Sequence, residues 1–445
     1  MPPPPLLSLP LPGDDPSPLP DAYTRTAPAA DAYSRLSRAR AVEVAVVGGG
    51  ITGLSAALHL AEAGARVAVL ERRGVAHGAS GRAFGNVVPY AKHQHGHILK
   101  HFGAAAGQRI VDSLAAGPSY VYGLVRRHGI DCEAVQNGLI FAAHDRAAEA
   151  SLRARADYWK GRGGGVELFD AAETRRLTGT GYYDLSLLDR RGGTINPLAY
   201  TRGLARAAAR AGAAIFEETP VASVERSGTG WRLHTDGGTV DAANVLICTN
   251  AYTGGLHAAL ARCFVPMRAY QLVSRPISPN LLASILPGGQ TLTDTRRLFS
   301  GVRVVAGGRL HVSADGPVFD AAAAPFADQS TERIRALYPE IGTIDWEEAW
   351  TGWVAVTRDE YPRVHQLADG MWTAYGYSGR GIAFGTLLGR QLAHHCRGGD
   401  PEAAFFPVTP AAPLLGHALA RPALSLFMRW LRWRDRWELA RAGRQ

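Results

Sequence analysis

Residues 42–71 read VEVAVVGGGITGLSAALHLAEAGARVAVLE, and this stretch decides the fold. Val42–Val47 is a run of apolar and β-branched residues that reads as a buried parallel strand. Gly48-Gly49-Gly50-Ile51-Thr52-Gly53 follows at once and opens an alanine-rich helix to about Ala63, after which Gly64 caps it. Arg66–Leu70 is a second strand, ended by Glu71. Strand, GxGxxG, helix, strand, acid is the order that a dinucleotide site requires. Gly48 permits the tight turn, Gly50 lets a pyrophosphate approach the backbone, and Gly53 allows the helix to pack on the sheet. Thr52 sits in the first helical turn, where unpaired N–H groups and the positive end of the helix dipole attract phosphate. Glu71 can accept hydrogen bonds from a ribose 2′-hydroxyl and disfavours a 2′-phosphate.

The next segment narrows the choice of dinucleotide. Arg72 to Arg82 reads RRGVAHGASGR, and its small residues Ala79, Ser80 and Gly81 let backbone approach a second half of the cofactor. That suits FAD, which lies extended and touches several separated segments. Four later stretches stand in order behind it: 181–198 (GYYDLSLLDRRGGTINPL), 211–224, 243–252 (ANVLICTNAY) and 375–385 (YGYSGRGIAFG). Together with the first motif, these resemble the D-amino-acid-oxidase superfamily of flavoproteins, in its glycine/sarcosine oxidase and gamma-glutamylputrescine oxidase-like branch. The resemblance covers most of the chain.

It implies an α/β fold with a Rossmann-type, glutathione-reductase-like FAD-binding domain and an antiparallel-sheet substrate domain. The flavin domain would be discontinuous, at 40–120, 185–260 and 355–400, with 121–184 and 260–350 forming the substrate domain. In the latter, Tyr270–Ser274, Leu298–Val305 and Arg309–Ser313 alternate as strands between Gly and Pro turns. By resemblance, Val221 lies where backbone holds adenine, Thr249 and Asn250 end a flavin-domain strand, and Gly379, Gly381 and Ile382 close over the flavin. The sheet would roof the isoalloxazine, with substrate between.

The resemblance implies oxidation of the C–N bond of an amine or N-substituted amino acid to an imine, by hydride transfer to flavin N5. The cofactor performs the redox step, so the protein must position and desolvate the substrate. Aromatic walls and one or two polar anchors are expected: Tyr270, Trp350 and Trp353 as walls, Arg380 and His311 as anchors. Three departures from the sarcosine-oxidase pattern stand out. Ala383 occupies the place of a carboxylate-clamping lysine. Gly352 falls where the family carries a cysteine for covalent attachment, so noncovalent FAD is expected. A roof lysine that would assist oxygen reduction is absent, since no lysine follows Lys160; His311 is one substitute for its charge, and an acceptor other than oxygen is the other reading. A flavin dehydrogenase feeding a membrane quinone and a non-catalytic flavin-fold binding protein are the alternatives.

Composition bounds the rest. The chain has 445 residues with 46% hydrophobic and 20% charged, a globular composition long enough for two domains. No apolar run reaches the roughly 18–20 residues of a membrane span. Net charge is +9, but the arginines are spread along the chain with no basic block, which argues against nucleic acid as a partner. Four scattered cysteines, without CxxC spacing, suit a reducing cytoplasm. Residues 1–38 read as a proline-rich disordered leader, with structure beginning in 31–40. His93, His95, His97 and His101 lack an adjacent carboxylate or HExxH context, so no metal site is expected. Residues 401–445 read as a C-terminal helical segment, in which 424–439 (LSLFMRWLRWRDRWEL) is basic, tryptophan-rich and amphipathic. It closes the flavin domain or makes peripheral membrane contact. The substrate and the oligomeric state do not follow from sequence.

Overall fold

The computed structural model describes residues 18–296, 300–315, 324–400 and 404–441. Its first sheet is built around β1 (Arg40–Val47), whose inner residues Val44–Val47 are all buried. β1 pairs in parallel with β2 (Val67–Leu70) on one side and β9 (Gly238–Ile247) on the other. β6 (Ala214–Phe216) extends the sheet beyond β2, and β16 (Met371–Tyr375) extends it beyond β9, again in parallel. β15 (Arg363–Ala368) closes that edge antiparallel to β16. A meander of β7 (Val221–Ser227) and β8 (Gly230–Thr235) leads into β9. Four-residue β2 is apolar throughout because helices or loops cover both faces of a parallel sheet.

Helix α1 (Ile51–Glu62) follows β1 directly and is buried on nearly every side. It lies between the sheet and α4 (Gly381–Cys396), and α3 (Pro197–Arg210) packs against it as well. Such crowding requires small residues. A Cβ on Gly53 would stand 2.1 Å from the Gly48 carbonyl oxygen, and one on Gly389 would stand 2.5 Å from the Thr52 carbonyl oxygen. Ser55 reaches across to donate to the Thr386 carbonyl at 2.7 Å, fixing the crossing. α2 (Ala104–His128) lies against the outer side of α4, where Gly117 makes room for Leu387 and Ala383.

The second sheet is a curved roof in the order β14 (Trp346–Val356), β10 (Val265–Pro276), β13 (Arg309–Asp315), β12 (Ser300–Val305), β11 (Thr291–Asp294), β3 (Leu139–Ala142), β5 (Ser186–Asp189), β4 (Val166–Phe169). The strands expected near 270, 300 and 310 are present; Leu298 itself lies outside the described residues. Two details differ from the sequence reading. The sheet is not wholly antiparallel, because β11 and β3, from the two separate insertions, meet in parallel. β5 belongs to this roof, although residues from 185 onward were expected in the flavin domain.

The leader also needs correcting. Residues 18–38 are built into the fold rather than disordered, and Asp21–Thr24 forms a helical turn after Pro20. Tyr23 is buried, donates to the Ala83 carbonyl at 2.6 Å and packs edge-on against Trp350. Asn196 holds the same turn, donating to the Tyr23 carbonyl at 3.1 Å and to Thr26 Oγ1 at 3.0 Å while its own oxygen caps α3. Proline richness describes residues 1–20 alone; beyond them a large aromatic and a backbone-tying asparagine outweigh the leader's composition.

The helix crossing yields a prediction. Gly389→Val should destabilise the protein by about 1–3 kcal/mol, because the atom met is backbone and cannot yield. Gly123→Ala, on α2 with nothing within 4 Å of the added Cβ, should be neutral or slightly stabilising. Urea-unfolding midpoints of the two variants check both outcomes.

Candidate cofactor cavity and active site

Between the two sheets lies a cavity of about 620 Å³, within the usual size of a small-molecule site. One end is the turn between β1 and α1. Gly48 has φ +110°, a conformation that L side chains rarely adopt. Gly50 precedes α1 in extended backbone and has no side chain with which to cap it, and the start of the helix, Gly50 to Thr52, lines the cavity with Ser80. Ser80 Oγ accepts from the Ile51 N–H at 3.0 Å, and a Cβ on Gly50 would stand 2.8 Å from the same oxygen. Glu71 is fixed by the Gly49 N–H at 2.6 Å and the Arg73 N–H at 2.9 Å. Burial raises its carboxyl, against the lowering effect of those two donors. A carboxylate offers about four acceptor positions, so two remain for a ligand.

The far segments converge on this end. Arg72, Ala79, Thr249, Asn250 and Val221 all line the cavity. Asn250 sits at φ +45° and its side-chain oxygen accepts from the Gly376 N–H at 3.1 Å, so the end of β9 is joined to the later glycine motif. In that motif Ser378 also has a left-handed backbone, φ +47°. Non-glycine residues in this conformation store strain of the kind that clusters at ligand sites. Thr52 Oγ1 and Tyr377 OH lie 2.7 Å apart, and Tyr377 donates onward to the Ala374 carbonyl at 3.0 Å, so Thr52 is the donor of the pair. Gly379, Arg380, Gly381 and Ile382 complete this wall, where α4 begins. Gly53 and Gly81 do not line the cavity. Gly53 serves helix packing, as expected, whereas a Cβ on Gly81 would meet the Ala76 carbonyl oxygen at 2.3 Å, so that glycine shapes the loop rather than touching a ligand.

The roof places the expected substrate residues unevenly. Met267, Ala269 and Gln271 of β10 line the cavity, so Tyr270, alternating with them, points to the opposite face and packs on Phe326. Tyr270 is therefore not a cavity wall. Trp353 lines the cavity, with its backbone N–H donating to Tyr252 OH at 3.2 Å and its ring under the Arg268 guanidinium at 4.6 Å; Trp350, paired with Gln271 across β10 and β14, is buried and donates its indole N–H to the Arg82 carbonyl at 3.0 Å. Arg380 lines the cavity beside Tyr90, with its guanidinium 5.7 Å from the ring centre and donating to the Ser378 carbonyl at 3.1 Å. Gly352 does face the cavity, above Ala79 and Arg82, whereas Ala383 turns toward α2.

His311 lies fully buried on the same face of the roof as Gln271 and Ser313, but it does not line the cavity. Its protonation follows from its neighbours. Arg303 Nε can only donate, and it lies 3.3 Å from His311 Nδ1, so Nδ1 accepts. The proton then sits on Nε2 and is donated to Gln271 Oε1 at 2.9 Å. The Gln271 amide nitrogen is thereby turned to Ser313 Oγ, 2.7 Å away. Burial, with Arg303 adding to it, holds His311 well below the usual histidine range. It is neutral and supplies no charge; the cation beside it is Arg303, its partner across β12 and β13. Gln271 and Ser313 are the polar groups of β10 and β13 that line the cavity, and sequence reading missed both. The signal was present: in RAYQLVS a lone amide alternates with apolar residues on a half-buried strand.

Also unforeseen is the arginine cluster at the β11–β3 end. Burial alone would raise Asp294, but Arg296 and Arg333 hold its carboxyl below the ordinary range, with Arg333 at 2.6 Å and Arg296 at 2.8 Å. Arg155 stacks over Tyr90 at 4.7 Å and lines the cavity with Arg296. The histidine-rich segment stands apart: His97 and Tyr361 OH are 2.8 Å apart, and His93 and His101 pack on the same ring.

A family model for FAD dependent oxidoreductases, DAO, matches residues 43–395. The chain belongs to that family. It is 29% identical over 423 residues to a probable oxidoreductase OrdL of Rhizobium meliloti, covering 93% of this chain and 97% of that one. It is 30% identical to the gamma-glutamylputrescine oxidoreductase of Escherichia coli, covering 86% and 90% respectively. A solved glycine oxidase from Geobacillus kaustophilus superposes with a TM-score of 0.70 at 24% identity, over 85% of this chain and all of that one. This DAO-family chain is thus an FAD-dependent oxidoreductase, and a cavity that begins at a GxGxxG turn and ends under a mixed roof fits that cofactor.

Glu71→Ala should weaken FAD binding by about 1–3 kcal/mol, the scale of charge-assisted hydrogen bonds. Titrating apoprotein by quenching of flavin fluorescence checks this. FMN, lacking the adenosine ribose, should bind wild type and variant alike.

Proposed function

We propose that this enzyme oxidises the C–N bond of an amine or N-substituted amino acid to an imine. The observation that carries the reading is the polar chain in the roof, Arg303 to His311 to Gln271 to Ser313, which presents two uncharged hydrogen-bonding groups opposite the glycine motif. Relatives support the substrate class: glycine oxidase and gamma-glutamylputrescine oxidoreductase are named for amine-bearing substrates. In this reading Gly48, Gly50, Thr52, Glu71, Arg72, Ala79, Ser80, Val221, Thr249, Asn250, Gly379, Gly381 and Ile382, which all line the cavity, would hold FAD. Bound there, FAD would supply the two-electron oxidant for the carbon beside the amine nitrogen, and water would hydrolyse the imine so formed.

The chain's own residues have simpler tasks. Gln271 and Ser313 orient the substrate nitrogen. Arg380 and Arg296 give the cavity positive charge for a substrate carboxylate. His311 is a positioning residue, since it acts on substrate only through Gln271. Gln271→Leu should lower kcat/KM by roughly 10–100-fold with FAD retained, the cost of one hydrogen bond to a charged group. His311→Phe should reproduce most of that loss and leave the pH profile without the shift that removal of an ionising catalytic base produces. Anaerobic flavin bleaching, screened over primary amines, polyamine conjugates and N-methyl amino acids, identifies the substrate; no bleaching with any amine would refute the reading.

A second reading concerns the acceptor. With His311 neutral and no roof lysine, a dehydrogenase passing electrons to a membrane quinone is favoured over an oxidase. Turnover in air without hydrogen peroxide is the expected result, and stoichiometric peroxide would overturn it.

Attachment is proposed to be noncovalent. Gly352 has no side chain, and Cys248, which lines the opposite end, is buried with its thiol pushed well above the usual range. Acid precipitation should leave all flavin in the supernatant; a yellow pellet would contradict this.

A further inference from the structure

The helix α5 (His417–Arg441) has two apolar faces, and the cavity uses only one. Leu424, Phe427, Met428 and Leu431 line the cavity mouth, and Met428 is 2% exposed. Leu419, Leu426, Trp430, Trp433 and Trp437 follow one another at steps of 7, 4, 3 and 4 residues, so they form a single stripe over five helical turns. All five are exposed, between 43% and 65%. The indoles of Trp433 and Trp437 stack at 6.4 Å, and the Arg434 guanidinium lies over the Trp430 ring at 5.4 Å. By helical position, Arg429 and Arg434 flank the stripe on opposite sides. From 417 to 441 the sequence carries six arginines against two acids.

We propose that α5 docks the enzyme on an anionic lipid bilayer, lying in the plane of the interface with the tryptophan stripe in the headgroup region. Three features favour lipid over another occupant. Exposed tryptophans prefer the membrane–water boundary, where ring and N–H are both satisfied. Flanking arginines complement acidic headgroups and can snorkel to them. The stripe is a straight row flanked by arginines, the pattern of an interfacial helix, and among the described residues no helix is long and apolar enough to cross a membrane. Because the opposite face of α5 forms the cavity mouth, docking would set that mouth at the lipid surface.

The test uses the FAD-loaded full chain with vesicles of phosphatidylcholine alone and of phosphatidylcholine doped with phosphatidylglycerol. Co-sedimentation with the anionic vesicles only, a shift of tryptophan emission to shorter wavelength, and release by high salt are the expected results. Replacing Trp430, Trp433 and Trp437 together by serine should abolish sedimentation while flavin absorbance is unchanged, since these side chains point away from the cavity. Arg429→Gln with Arg434→Gln should weaken partition by about 25-fold, at about fivefold per basic residue near an anionic surface. Absence of binding, or equal binding to both vesicles, would overturn the proposal. So would a lipid-free dimer in sedimentation velocity that the triple serine variant converts to monomer, because a second copy would then be what covers the stripe.

Discussion

The close approach of α1 to β1 below it and to α4 beside it is the constraint on which the rest of the structure depends. A helix whose first N–H groups must reach a phosphate cannot be held away from the sheet by side chains. Gly53 meets the Gly48 carbonyl, and Gly389 meets the Thr52 carbonyl, at distances where no Cβ fits. Once α1 is seated in this way, α4 can cross it only at one depth, and that depth fixes where the 375–382 turn begins. Asn250 and Gly376 are then brought together, which joins the end of β9 to the same wall. A cavity wall assembled from distant segments thus follows from backbone contact at two glycines.

Polarity in the roof follows by a similar chain of necessity. Arginine has no acceptor, so Arg303 forces His311 Nδ1 to accept, Nε2 to carry the proton, and Gln271 to turn its oxygen inward. The cation is thereby kept to the side of the cavity, and what these strands present to the cavity is an amide and a hydroxyl. A buried guanidinium with neutral acceptors, including the Ile195 carbonyl and Tyr23 OH, is costly to bury, and the leader segment supplies one of those acceptors. Ordering of residues 18–38 and poise of the active-site roof are therefore linked.

The flavin-binding half was legible in sequence because each of its requirements is local: a strand, a turn that only glycine makes, a helix start, an acid at the end of the next strand. The roof was legible as strands but not as a site. Tyr270 and Gln271 are neighbours, and which of them faces the cavity depends on register against β14 and β13, a one-residue choice that no local rule sets. His311 was read as a charge because its partner Arg303, eight residues away on the neighbouring strand, becomes visible only once β12 and β13 pair. The arginines around Asp294 came together through the parallel pairing of β11 with β3, two segments about 150 residues apart, and nothing in either stretch announces the other. The C-terminal helix was recognised as amphipathic, and both of its readings rest on real faces: one covers the mouth, the other is open.

The central claim is that one cavity holds the cofactor from the Gly48–Gly53 turn to the Gln271–Ser313 roof. A crystal structure of the enzyme purified with FAD tests it most directly. The account predicts pyrophosphate density at the N–H groups that begin α1, ribose against Glu71, and the isoalloxazine between the 378–382 turn and Gln271. Density for the ring system on the Tyr270 face of the roof, or a pyrophosphate away from Gly50, would contradict it.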